Sequence, residues 1–190
     1  VSPPRVTERA QALARETLRP GDLALDGTAG KGRDTACLAQ AVGPDGHVHA
    51  FDIQPAAIDA TRALCQREGL LDRVTLHLRS HAELAAALPP EHLGRLGVAI
   101  FNLGYLPGGD QAVITRPDTT AVALRAAHAA LRPGGRLICV AYPGHPGGED
   151  EAAVVRTFGR ERERAGDSIT MDVEEAGGDR PWILCVTKAE

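Results

Sequence analysis

The chain has 190 residues, the length of one domain with room for a sizeable core. Hydrophobic residues make up 43% of it and charged residues 24%, which excludes a disordered tail, a collagen-like rod and a coiled coil. The formal net charge of -4 excludes a polycation, so any nucleic-acid contact must come from a local patch.

In chain order, Val6, Ala10, Leu13, Ala14 and Leu18 recur at helical spacing, and Pro20-Gly21 stops that helix. Residues 22–26 read as a short buried strand. Gly27-Thr28-Ala29-Gly30-Lys31-Gly32 is a flexible turn that opens a helix over 33–42. The alternation of His47 to Asp52 predicts a second strand, and Pro55 suits the first turn of a helix reaching Glu68. A third strand is expected over 74–78, a short helix over 81–88, and an uncharged, fully buried strand over 96–102. A helix over 119–131 is broken by Pro133-Gly134-Gly135 and followed by a fifth strand over 136–142. A charged amphipathic helix over 149–164 precedes two late strands, 168–173 and 181–187, joined through Gly177-Gly178-Asp179. Strands alternating with helices at βαβ spacing predict an α/β fold: a doubly wound, mostly parallel sheet with a C-terminal antiparallel edge hairpin. The expectation is a single domain over 1–190, with 1–20 an N-terminal helix packing on it.

Cys37, Cys65, Cys139 and Cys185 form no C-x-x-C pair and sit among apolar neighbours, so reduced core residues are expected. No apolar run approaches the ~18 residues of a membrane span, and Val1-Ser2-Pro3-Pro4-Arg5 has no apolar signal region. A cytoplasmic protein is expected. Residues 62–136 carry a net charge of +3, against -2 before and -5 after, so an anion is best sought in that middle third.

In an open α/β sheet, ligands bind beyond the carboxyl ends of the strands. After the first strand, Gly30 and Gly32 permit positive φ and close backbone approach, and the helix start behind them offers free N–H groups. Asp52 follows the second strand, where a carboxylate can accept both hydroxyls of a ribose. The pair fits an adenosine-containing cofactor, either a nicotinamide or a sulfonium. Three details favour the sulfonium. Thr35 replaces the third glycine that a dinucleotide wants. Asp26 suits an α-amino group and not a pyrophosphate. The fourth strand ends in Asn102-Leu103-Gly104-Tyr105, where Asn102 can accept hydrogen bonds from an amine and Tyr105 can stack on a planar base. There is no H-E-x-x-H, the His77 and His81 spacing crosses a strand-to-loop boundary, and no G-x-S-x-G is present, so neither a metal site nor a serine hydrolase is expected.

These stretches resemble the class I S-adenosylmethionine-dependent methyltransferases. More narrowly, the chain is similar to a small bacterial family labelled putative rRNA methylase. The resemblance runs through 26–35, 51–54, 80–81, 101–108 and 142–148. Lys31 and Arg33 depart from that family's usual asparagine and histidine. The resemblance implies S-adenosyl-L-methionine as cofactor, with Asp26, Thr28, Gly30, Lys31, Gly32, Asp34 and Thr35 around its methionine part. It implies Asp52 on the ribose, Ile53 and Gln54 beside the adenine, and Ser80 and His81 at the adenine edge. Asn102 and Tyr105 would be catalytic, Asn102 also reaching the cofactor. Leu103, Gly104, Tyr105, Leu106, Pro107, Arg116, Tyr142 and His145 would meet the substrate, with His145 exposed on its loop.

The implied reaction is N-methylation of the aminomethyl group of 5-aminomethyl-(2-thio)uridine at the tRNA wobble position. The implied partner is the anticodon stem-loop of tRNA, and the sparse basic surface raises the expectation of a homodimer that widens the RNA platform. Methylation of rRNA or of a small amine, or a silent binding module, are the alternatives. The proton released could pass to water, His145, Tyr105 or Asp110.

Overall fold

The computed structural model describes residues 4–104, 115–172 and 179–190. A 7-stranded sheet has the order β3-β2-β1-β4-β5-β7-β6. Its strands are β1 (Leu23–Asp26), β2 (His47–Asp52), β3 (Val74–Leu78), β4 (Leu96–Asn102), β5 (Leu131–Ala141), β6 (Ser168–Asp172) and β7 (Trp182–Thr187). β1 to β5 pair in parallel, and β7 pairs antiparallel with both β5 and β6. The doubly wound fold is therefore present. The late hairpin is inserted so that β7 lies inside and β6 forms the edge.

The helices are α1 (Val6–Thr17), α2 (Arg33–Val42), α3 (Pro55–Arg67), α4 (Leu84–Ala87), α5 (Pro117–Ala130) and α6 (Gly148–Arg164). Side chains alternate across a strand, so each strand feeds two cores. On β4, Val98 and Ile100 pack with Ala10, Ala14, Leu38 and Cys65 of α1, α2 and α3. Ala99 and Phe101 point the other way, against Leu84, Leu124, Ala127, Val155 and Phe158 of α4, α5 and α6. Apolar helices on both faces explain why β4 carries no charge.

Two expectations need correction. The helix predicted over 81–88 is a 3-10 turn (His81–Glu83) followed by one α-helical turn, because Pro89 and Pro90 leave it no length. Pro133-Gly134-Gly135 does not separate helix from strand. α5 ends at Ala130, β5 starts at Leu131, and the three residues form a bulge between the pairs Leu96↔Leu131 and Val98↔Arg136. Gly134 N–H donates to the Lys188 carbonyl at 3.0 Å, and Lys188 N–H donates to Gly135 at 2.9 Å, so the bulge stays in the ladder. The cysteines are buried and unpaired, as expected. Among the described residues, no helix is long and apolar enough to cross a membrane.

Strand order reverses at β1, since the chain runs outward through β2 and β3 and returns to β4 on the other side. A crevice opens there, beyond the carboxyl ends of β1, β2 and β4.

Candidate active site

The crevice is a cavity of about 580 Å³, within the range of small-molecule sites. Its floor is the β1–α2 loop. Gly30 (φ 54°) and Gly32 (φ 80°) both take the left-handed conformation that glycine allows. At Gly32 the absent side chain also makes room for the protein itself, because a Cβ would lie 2.8 Å from Thr61 Cα on α3. Gly27 is packed more tightly still: a Cβ would lie 2.1 Å from Phe101 Cε1.

The two acids of this loop differ in placement. Asp26 is fully buried; its carboxylate accepts from the Thr28 N–H at 3.0 Å and the Thr35 hydroxyl at 2.6 Å, and it does not line the cavity. Burial, with the nearby Asp34 charge adding, pushes its pKa up to about 7. Asp34, in the first turn of α2, does line the cavity. Burial raises its pKa also, opposed by hydrogen bonds from Gln11 and Asn102.

Asp52 stands at the end of β2 with its two oxygens divided. One accepts from the Gly30 N–H at 2.9 Å, tying β2 to the first loop, and the other from the Gln54 N–H at 2.9 Å. Beside it Ile53 is an apolar side chain 52% exposed, on the cavity wall with Gln54. Ser80 accepts from the Ala82 N–H at 3.2 Å and starts the turn that carries His81. The His81 ring bonds the Gly27 carbonyl through Nδ1 at 3.2 Å, so Nδ1 is the donor and Nε2 the acceptor. Burial lowers its pKa and keeps the ring neutral. Nε2 is buried in the cavity wall without a hydrogen-bond partner.

Asn102 closes β4. Its N–H donates to the Thr28 hydroxyl at 2.7 Å, its Nδ2 donates to Asp34, and its Oδ1 is buried without a partner. Leu103 and Gly104 continue along the wall, and Gly104 is clasped by Thr115, whose hydroxyl accepts from its N–H at 2.8 Å. That hydroxyl donates to Glu151 at 2.6 Å, and Thr120 donates to the same buried carboxylate at 2.5 Å. Tyr142 and His145 complete the wall after β5. His145 is half-buried rather than exposed, because its loop folds back through a 2.8 Å bond from Gly148 N–H to its carbonyl. Burial pushes the Tyr142 phenol up to about 12. Tyr105, Leu106, Pro107 and Asp110 lie outside the described residues.

Most residues expected at the site are thus gathered in one cavity. Asp26, Gly32 and Thr35 support it from beneath. Sequence reading missed Thr7 and Gln11 of α1, which form a further wall together with Thr115 and Thr119. The i, i+4 spacing of Thr7 and Gln11 shows that they share a helix face, but nothing local says that the face meets the crevice. Lys31, Arg33 and Arg116 are exposed and line the same cavity, so Lys31 and Arg33 of the first loop join Arg116 of the basic middle third. Among the described residues, no group of acidic, histidine or cysteine side chains is arranged to hold a metal ion.

Comparison with known proteins places this geometry among relatives. The family model described as Putative rRNA methylase matches residues 48–185. A putative rRNA-methylase from Clostridium thermocellum superimposes with a TM-score of 0.90 at 32% identity, over 99% of this chain and 100% of that one. A putative methyltransferase from Streptococcus mutans, solved in complex with SAH, gives a TM-score of 0.84 at 28% identity over 98% and 99% of the two chains. A chloroplastic tRNA (mnm(5)s(2)U34)-methyltransferase of Arabidopsis thaliana is 39% identical over 163 residues, 82% of this chain. The match spans 59% of that plant protein's length.

Proposed function

The chain belongs to the putative rRNA methylase family, and from that membership and the chemistry of its cavity we propose an S-adenosyl-L-methionine-dependent N-methyltransferase that acts on RNA. The observation that carries the reading is Asn102 Oδ1, a buried, unsatisfied acceptor in the same cavity as Asp52. A buried acceptor without a partner is costly, and a ligand N–H would satisfy it.

The residues present fit the cofactor. Thr28, Gly30 and Lys31 would surround its methionine part, on a loop held from beneath by Asp26, Gly32 and Thr35. Asp34 faces the same space. Asp52 keeps lone pairs for two ribose hydroxyls. Ile53 and Gln54 would flank the adenine, and His81 Nε2 is an acceptor suited to its amino group, with Ser80 beside it. When bound, S-adenosyl-L-methionine supplies a methyl group already activated on a sulfonium, so no metal is required and catalysis is mainly alignment.

On the substrate side, Asn102 Oδ1 accepts an N–H of the neutral amine and turns its lone pair towards the methyl carbon. The bound cofactor would supply the methyl group to that nitrogen, and the methylated amine would then lose a proton. Tyr142 stays protonated and does not take it; water or His145 is available, with Tyr105 and Asp110 on the adjoining segment. Leu103, Gly104, Tyr105, Leu106, Pro107, Tyr142 and His145 would frame the base, and Arg116 would meet a phosphate.

The finer assignment is the aminomethyl group of 5-aminomethyl-(2-thio)uridine in the tRNA anticodon stem-loop, in the cytoplasm. The 39% identity to the plant tRNA (mnm(5)s(2)U34)-methyltransferase supports the choice of nucleoside. A homodimer would widen an RNA platform that is small in one copy. Calorimetry with S-adenosyl-L-methionine, followed by mass spectrometry of nucleosides from tRNA carrying the aminomethyl uridine, tests the reading. One added methyl on that nucleoside is expected. Methylation confined to rRNA or to free amines would replace the tRNA assignment.

A further inference from the structure

We propose that Asp34 is a positioning residue whose carboxylate sets which way the Asn102 amide faces, and that Gln11 of the N-terminal helix holds Asp34 in that role. The inference rests on the reading that Asn102 aligns an amine. Asp34 Oδ2 accepts from Asn102 Nδ2, and its Oδ1 accepts from Gln11 Nε2 at 2.6 Å. The Asn102 backbone is pinned separately, by the 2.7 Å bond from its N–H to the Thr28 hydroxyl. The remaining freedom of Asn102 is a half-turn of its amide, which exchanges a donor for an acceptor at almost constant shape.

That half-turn decides the chemistry of the site. With Oδ1 towards the cavity, the amide accepts an amine N–H and leaves the nitrogen lone pair free to attack. With Nδ2 towards the cavity, the amide donates to that lone pair and blocks it. Sterics do not separate the two. A carboxylate does, because it only accepts: the NH₂ group must face Asp34, and Oδ1 must face away. Oδ1 is accordingly the atom left buried without a partner. Gln11 holds Asp34 by the same logic from the other side, which gives α1 a part in the site beyond forming a wall.

The test is a double-mutant cycle on full-length protein, with single-turnover methyl transfer to RNA carrying the aminomethyl uridine and calorimetric S-adenosyl-L-homocysteine binding measured for every variant. Asp34→Asn replaces the pure acceptor by an amide that tolerates either orientation. It should lower the transfer rate at least about 10-fold while leaving the product's Kd within about 3-fold. In an Asn102→Ala background the same change should have no further effect on the rate, since there is no amide left to orient. Gln11→Ala should lower the rate in the same direction but less, and it serves if Asp34→Asn fails to bind the product. An unchanged rate in Asp34→Asn, or losses that multiply independently with Asn102→Ala, would overturn the inference. A weakened Kd with a normal rate at saturating cofactor would also overturn it, by making Asp34 a cofactor ligand. Full turnover by Asn102→Ala would instead remove the amine-alignment reading, and the role of Asp34 with it.

Discussion

At the scale of single residues, the first loop shows two carboxylates eight positions apart, Asp26 and Asp34, meeting different fates. Asp26 is sealed beneath the loop and carries a pKa of about 7, whereas an exposed aspartate ionises near 4. Its folded pKa lies above its unfolded one, so the stability it contributes is present below the unfolded value and is lost as pH rises through about 7. A ligand that brings positive charge into the cavity above the loop favours the ionised form of Asp26 and drives its proton off. S-adenosyl-L-methionine binding at pH 7 is therefore expected to release a fraction of a proton, and Asp26→Asn should abolish the release. Calorimetry in two buffers of different ionisation enthalpy measures it. Equal heats in both buffers for the wild type would show that Asp26 does not titrate with binding.

At the scale of elements, β2, β3 and the 3-10 turn Pro90–His92 share a chain of imidazoles on the far side of Asp52's strand. His49 bonds His77 through Nδ1 at 3.1 Å and His92 through Nε2 at 2.9 Å, using opposite ring nitrogens, so the three rings do not converge on a single point. His77 also stacks on Phe51, with 4.2 Å between centroids. Burial, with the neighbouring rings His47, His77 and His92 adding, lowers the His49 pKa to about 3. Its stabilising contribution is complete above the unfolded value near 6.5 and falls away as pH drops below it, because only the unfolded chain takes up the proton. The slope approaches about 1.4 kcal/mol per pH unit for one such group. Urea unfolding between pH 7.5 and about 5 should show wild-type stability falling with acid. His49→Gln, which keeps a donor and an acceptor, should fall less steeply. Parallel curves would exclude the imidazole chain as the acid-sensitive element.

At the scale of the whole molecule, the net charge of -4 conceals a cationic rim of Lys31, Arg33 and Arg116 around the cavity. Arg116 is partly compensated by Asp118 at 3.3 Å, an exposed pair that adds little to stability. Few cations are available to neutralise phosphates, so RNA affinity should fall with salt only modestly. Replacing Lys31, Arg33 and Arg116 together by alanine should flatten the slope of log affinity against log salt by up to about 3. An anticodon stem-loop should also be a far better substrate than the free nucleoside, since an unpaired loop lets a base be splayed into a pocket. A Michaelis constant indifferent to salt, with equal activity on the nucleoside, would point to a small-molecule substrate.

By itself the sequence determined the elements and the chemistry at their ends. Alternating hydrophobic runs and turn residues placed β1 to β5, and Asp52, His81 and Asn102 were legible because each stands at or just beyond the carboxyl end of a strand, the side on which an α/β sheet binds its ligand. Periodicity is local, so it could not show that Pro133-Gly134-Gly135 would be absorbed as a bulge by a ladder with Leu96 and Lys188. The tertiary structure alone decided that Asp26 is sealed in while Asp34 reaches the cavity, and that α1 brings Gln11 to Asp34. Each depends on which helix packs on which face of the sheet, a contact between residues far apart in the chain that no spacing along it encodes.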